Sequence, residues 1–240
     1  MFVSKCKVGF SSLDADGKIR LSALFDFIQD NTDFHFHEMT YLWDYFMNEK
    51  VGMFVVSRQL DIVKLPEYGE ELTIKTFTHE CKNTYGGRNN LIYSEAGELC
   101  VKANSVGAFV DLKTSRPLKI PAEILAQIPI EPKIDMEYLP RKIKIDNEKT
   151  PEFCGTFQIR NYHIDANRHV NNARFIDIAQ EFLPQLNPTN CEIKQVRIEY
   201  KTPASLGDIV RAERCVGEGK IAVRLFNEGV TYAVAEFCLA

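Results

Sequence analysis

An α+β fold is predicted, built from two copies of a unit in which a helix is wrapped by an antiparallel sheet. Three observations predict it. A polar loop runs into an amphipathic helix twice, near 14–28 and near 165–179. Runs of strand character follow each helix. Between the copies lie Pro117, Pro121, Pro129, Pro132, Pro140 and Pro151, the mark of a connecting segment.

Residues 3 to 10 read as the first strand. A helix is expected from about Arg20, with Leu24, Phe27 and Ile28 starting its apolar stripe. Residues 38 to 49, rich in aromatics, form a second helical piece. Strands are predicted over roughly 53–64, 71–82, 86–94 and 99–111, with Pro66 to Gly69 and Ala96-Gly97 as turns. Leu72 and Ile74 alternate with Thr73 and Lys75, the period of a half-buried strand. A short helix is expected near 122–127.

The second copy opens with a strand over about 152–162, then the loop and a helix that Pro184 ends. Phe175, Ile178, Ala179 and Phe182 form its stripe. Strands follow at about 192–202, 208–216, 219–227 and 230–239. The boundaries are therefore 1–128 for the first domain, 129–150 for a linker and 151–240 for the second domain.

The repeat can be read residue by residue. A shift of 151, from Asp14 to Asp165, also sets Asp16 on Asn167 and Ile19 on Val170. It sets Leu24, Phe27 and Ile28 on Phe175, Ile178 and Ala179. A shift of 138, from Leu60 to Ile198, sets Asp61 on Glu199, and Gly69-Glu70 on Gly207-Asp208. At the loop the copies part chemically. Lys18 stands where the second copy has His169, and Arg20 and Leu21 stand where it has Asn171 and Asn172.

That second loop, with Asp165, Asn167, His169, Asn171 and Asn172, is dense in groups that accept, donate or carry protons. Each asparagine alone is an ordinary helix cap. One cap does not need five polar groups, however, and the loop leads into a helix N-terminus with free N–H groups and a positive dipole end. Asp165 can act as general base on water or attack as a carboxylate. His169 can orient water or carry a proton. Asn167 can bond a carbonyl, and the N–H groups near Val170, Asn171 and Asn172 can hold an oxyanion.

The run Asp165-Ala-Asn167-Arg-His169-Val170-Asn171-Asn172 resembles the signature of acyl-acyl carrier protein (acyl-ACP) thioesterases. The resemblance implies a tandem (double) hotdog fold and hydrolysis of fatty acyl-ACP in fatty-acid biosynthesis. It implies Asp165, Asn167 and His169 as catalytic residues. The partner implied is an acyl carrier protein bearing a phosphopantetheine-linked acyl chain, met by a monomer, as a pseudo-dimer of hotdogs, or by a homodimer. No cofactor and no metal are implied. One departure stands out. The family's catalytic Glu, often followed by Cys, falls here on Pro203 and Ala204. Glu199 lies four residues earlier and matches Asp61 in the first copy, which gives it a structural reading. An acyl-CoA thioesterase and a non-catalytic acyl-binding hotdog protein therefore stay open as alternatives.

The first copy is expected to supply the acyl pocket from among Phe25, Phe27, Phe34, Phe36, Trp43, Phe46 and Met53, most of which also read as core. Lys113, Arg116, Lys119, Arg141, Lys142 and Lys144 gather around the linker and could steer an acidic carrier, or simply solvate the segment. A net charge of −4 argues against nucleic-acid binding. No apolar run reaches the ~18 residues of a membrane span, and no signal-like apolar region follows Met1, so a cytoplasmic location is expected. The seven cysteines, with no Cys-x-x-Cys pair, read as reduced and mostly buried thiols. His35 and His37, two apart on a helix, read as polar helix residues rather than metal ligands.

Overall fold

A computed structural model describes residues 1–145, 150–184 and 192–240. Part of the expected linker, 146–149, and Cys191 lie outside the described residues. The chain divides into two units: Met1–Arg58 with Ile62–Leu139, and Gln59–Asp61 with Pro140–Ala240.

The first unit begins with β1 (Phe2–Lys7), a 3₁₀ turn at Phe10–Ser12, and helices α1 (Leu21–Glu38) and α2 (Thr40–Glu49). It continues with β2 (Val51–Ile62), β3 (Glu71–Cys81), β4 (Tyr85–Tyr93), β5 (Leu99–Asp111), β6 (Arg116–Pro117) and α3 (Ala122–Leu125). Its sheet runs β1-β3-β4-β5-β2, with β6 on β5, and α1 lies against β3. Leu24, Phe25 and Ile28 are fully buried on α1, while Phe34 and Trp43 are exposed.

The second unit holds β7 (Glu152–Gln158), a 3₁₀ turn at Asn161–His163, α4 (Asn172–Gln180), β8 (Ile193–Tyr200), β9 (Ile209–Gly217), β10 (Lys220–Asn227) and β11 (Val230–Leu239). The sheet runs β8-β11-β10-β9-β7, and α4 lies on β10 and β11 through Phe175, Ile176, Ile178 and Ala179. Each unit is thus a helix set against an antiparallel sheet, and the fold is the tandem hotdog expected.

Three boundaries are corrected. The strands expected to reach residues 10 and 162 stop at Lys7 and Gln158, because the chain turns into the two 3₁₀ segments. The helix expected to run to Pro184 stops at Gln180. There the Phe182 and Leu183 N–H groups bond Ala179 O and Gln180 O, three residues back, and the last turn tightens out of α-geometry. The cysteines are also less buried than expected. Cys100 and Cys215 are buried, but Cys6, Cys81, Cys154 and Cys238 are half-buried.

Residues 129–139, within the expected linker, lie on the sheet of the first unit. Ile130 bridges Thr78 in parallel, and the Glu131 N–H donates to Thr78 O at 2.9 Å. Asn89 Oδ1 accepts the Tyr138 hydroxyl at 2.8 Å, and Lys102 Nζ donates to Asp135 O at 2.6 Å. The other face of that sheet meets α1 with an unexpected polar layer. Arg88, only 2% exposed, donates to Thr78 Oγ1, Thr76 Oγ1 and His35 Nδ1, and its plane lies over the Phe36 ring. Among the described residues no helix is long and apolar enough to cross a membrane.

Candidate active site

The sequence repeat is a repeat of hydrogen bonds. In the second unit the Asp165 N–H donates to His169 O at 3.0 Å and the Arg168 N–H to Asp165 O at 3.0 Å. In the first, the Asp14 N–H donates to Lys18 O at 2.8 Å and the Gly17 N–H to Asp14 O at 3.2 Å. Both turns are closed by an isolated bridge, Ile164 to Val170 and Leu13 to Ile19. Both are tied from inside by the aspartate: Asp165 Oδ1 accepts the Asn167 N–H at 2.8 Å, as Asp14 Oδ1 accepts the Asp16 N–H at 2.9 Å. This is a side chain closing its own turn two residues on, which aspartate does well.

The first copy fills the left-handed position of the turn with Gly17, at φ +75. The second fills it with Arg168, at φ +62. A β-carbon there costs about 1 kcal/mol or more, so the second turn carries strain that the first avoids.

Asp165, Asn167 and His169 sit on this one turn. Asp165 and His169 are half-buried and Asn167 is exposed. Asp165 spends one carboxylate oxygen on the turn; the other has no hydrogen bond among the described residues. The Asn167 and His169 side chains likewise make no hydrogen bond among the described residues. Asn171 caps α4, its Oδ1 accepting the Ala173 N–H at 2.8 Å. Tyr200 on β8 donates its hydroxyl to Asn172 O at 3.0 Å and sets its ring against Phe175, bracing the start of the helix.

The oxyanion donors need correction. The Val170 N–H donates to Ala204 O at 2.9 Å, and the Asn171 N–H to His163 O at 2.9 Å. Both are spent within the fold. Of the three backbone groups expected, only the Asn172 N–H has no partner among the described residues.

The Val170 bond to Ala204 carries a second point. It seats Pro203-Ala204, the stretch where the resemblance implies a Glu and a Cys, directly beside the motif. The position is adjacent to the turn, but its side chains here are apolar. Glu199 does not replace the acid. It is 7% exposed, with one oxygen accepting the Ile143 N–H at 3.2 Å and the other paired with Lys201 at 3.1 Å. Beneath the turn His163 is 3% exposed. Burial holds its pKa below the ordinary histidine value, and its Nδ1 accepts the Arg160 N–H at 2.9 Å. It anchors the loop and was not singled out from the sequence. Its pairing with Asn171 connects residues eight apart, and no periodicity marks such a contact. Among the described residues no group of three or more His, Cys, Asp or Glu is placed to hold a metal ion.

Comparisons with known proteins bear on this geometry. Residues 1–128 match the model of the acyl-ACP thioesterase N-terminal domain, and residues 146–225 that of the C-terminal domain. A chloroplastic palmitoyl-acyl carrier protein thioesterase of Gossypium hirsutum is 24% identical over 219 residues, covering 86% of this chain and 52% of that protein. A chloroplastic dodecanoyl-[acyl-carrier-protein] hydrolase of Cinnamomum camphora is 22% identical over 76% of this chain and 49% of its own length. The chain thus spans about half the length of the curated relatives it matches. The crystal structure of an acyl-ACP thioesterase from Bacteroides thetaiotaomicron superposes with a TM-score of 0.88 at 17% identity, covering 99% of this chain and 97% of that one. The 12:0-ACP thioesterase from Umbellularia californica superposes at 0.87, also at 17% identity, covering 100% and 96%. The solved structures fix the fold and the two family models cover most of the chain: it belongs to the acyl-ACP thioesterase family.

Proposed function

We propose that this protein hydrolyses fatty acyl-ACP in fatty-acid biosynthesis, releasing a free fatty acid and the carrier thiol. Water supplies the oxygen: the thioester C–S bond breaks, a C–O bond forms, and the thiol leaves with a proton. Asp165 is the base or nucleophile, and His169 and Asn167 orient the water and the thioester carbonyl. The observation that carries the reading is the pairing of an intact motif turn in the second unit with family matches across both halves. The names of the curated relatives reported above, acyl-ACP thioesterases or hydrolases, support the carrier-bound substrate. In this reading the second unit carries the chemistry and the first houses the acyl chain. With the Val170 and Asn171 N–H groups occupied, the developing oxyanion falls to the Asn172 N–H and to side-chain amides. A cytoplasmic site of action is part of the proposal.

A second reading, a non-catalytic acyl-binding protein, is favoured by one observation: Pro203 replaces the expected acid. One experiment separates the two. The purified protein is given matched acyl-ACP and acyl-CoA of graded length, and released fatty acid is measured. Release from acyl-ACP with slower release from acyl-CoA is the expected result. Faster release from acyl-CoA would move the assignment to the CoA ester, and fatty-acid binding without release from either would favour the non-catalytic reading.

A further inference from the structure

The motif turn and its counterpart in the first unit differ in charge as well as in chemistry. Residues 160–169 carry Arg160, Arg168 and one acid, Asp165. The matching stretch 9–18 carries Asp14, Asp16 and one base, Lys18. Gly9 stands in the place of Arg160 and Gly17 in that of Arg168, so both arginines rise where the first unit has no side chain. Both are exposed. Apolar exposure does not divide the units in this way: Leu206 is 57% exposed, and Tyr68, its match at a shift of 138, is 64% exposed. What the second unit adds is the pair of arginines.

The two arginines stand on one rim. The His163 N–H donates to Arg160 O at 3.1 Å, and His163 O accepts the Asn171 N–H at 2.9 Å. The Gly207 N–H donates to Ile159 O at 3.1 Å, and Ala204 O accepts the Val170 N–H at 2.9 Å. These bonds stitch the segments 159–163 and 203–207 to the turn that holds Asp165. Arg168 is the more telling of the two. It holds φ +62 where the first unit has Gly17 at +75. Its side chain makes no hydrogen bond or ion pair among the described residues, so no contact there offsets the strain. Strain retained in this way is a mark of a functional position. A guanidinium is always charged, and its planar fork of N–H donors matches a phosphate.

We propose that Arg168, with Arg160 on the same rim, forms a binding subsite for a phosphate ester, the phosphate of the phosphopantetheine arm that bears the acyl group. The arm carries its thioester at one end and its phosphate at the other. With the thioester at Asp165, an exposed cation on the same turn faces the outer part of the arm. The identity of the ligand rests on the thioesterase reading, and every group invoked lies in the second unit.

The test needs no carrier. One fatty acyl chain is placed on pantetheine and on phosphopantetheine, two thioesters that differ only in the phosphate, and the ratio of their kcat/KM values is measured at low salt. The wild type should favour the phosphorylated thioester roughly tenfold, the scale of a hydrogen bond to a charged group. The preference should shrink as salt screens the exposed contact. Arg168→Gln removes the charge, keeps the β-carbon and should bring the ratio most of the way to one. Arg168→Gly installs the first unit's own residue. It should lower the ratio equally while the melting temperature holds or rises, because glycine takes a positive φ without strain. A merely structural arginine would instead lower the melting temperature and leave the ratio alone. Uncleavable thioether analogues of both compounds give the same ratio by direct binding. A wild type that hydrolyses acyl-ACP but uses the two small thioesters equally would overturn the subsite and leave the thioesterase reading intact. So would a wild-type preference that both Arg168 variants keep. Preferred binding of the phosphorylated thioether, weakened in Arg168→Gln, with no thioester hydrolysed, would keep the subsite and overturn only the hydrolase. No hydrolysis and no preference in binding would overturn both.

Discussion

Asp165 Oδ1 accepts the Asn167 N–H at 2.8 Å, and an asparagine there would accept it equally. Asp165→Asn therefore keeps the turn while removing the basic carboxylate. We expect kcat on acyl-ACP to fall by roughly 10²–10⁴-fold, the range for losing a general base, with the melting temperature little changed. Asp14 makes the same turn in the first unit beside Lys18 rather than a histidine. Asp14→Asn is therefore the matched control and should leave turnover within a few-fold, whereas His169→Ala should cost roughly 10²-fold or more. Near-normal turnover by a folded Asp165→Asn enzyme would reduce Asp165 to a turn-former. The base would then have to be His169, because both oxygens of Glu199 are already occupied.

At the scale of elements, the pairing of α1 with β4 depends on a neutral histidine. Arg88 Nη2 donates to His35 Nδ1 at 2.5 Å, and the His35 ring stacks on Phe2. Burial, then the Arg88 charge and the N-terminal ammonium, lower the His35 pKa from 6.5 to about 4. The unfolded chain takes up this proton near pH 6.5 and the folded unit only near 4, so between those values the unfolded state binds more protons. Stability is then fully present above about 6.5, declines as the pH falls towards 4, and loses nothing further from this group below that. His35→Asn supplies an acceptor that does not titrate, so its melting temperature should fall less than that of the wild type between pH 6.5 and 4. Parallel curves would remove His35 from the acid response. This layer was not legible in the sequence. His35 read as a polar helix residue because periodicity gives the direction of a side chain but not what waits opposite. Its partner Arg88, and the Thr76 and Thr78 hydroxyls that Arg88 also binds, come from strands brought beside α1 only by folding. The helices, the strands and the repeat could be read because each rests on local period and turn chemistry. The ends of β1, β7 and α4 could not, because 3₁₀ geometry replaces each element without a change in composition. The motif residues were found where they lie, on one turn. The fate of their N–H groups was hidden, since Ala204 and His163 take them through contacts outside the motif.

At the scale of the whole molecule, the proposed function requires an acidic carrier to meet a chain of net charge −4. Long-range attraction then has to come from local clusters, because beyond about 10 Å salt screens exposed charges. In the second unit Arg141, Lys142 and Lys144 are exposed, and Ile143 between them is buried, its N–H held by Glu199. That one buried anchor fixes the backbone from which three cations project, whereas a freely solvated segment would have none. In the first unit Lys113, Arg116 and Lys119 are also exposed, around β6. Reversing Arg141 and Lys142 to Glu changes no buried group, so the fold should persist. Steering charges act on the rate of encounter more than on chemistry. The double variant should therefore raise KM for acyl-ACP about tenfold at low salt, leave kcat unchanged, and hydrolyse a small uncharged thioester at the wild-type rate. The wild-type KM for acyl-ACP should itself rise with salt, and the variant's should rise less. If KM and its salt dependence match the wild type, carrier docking does not use 141–144, and the same reversal at Lys113 and Arg116 tests the first unit next.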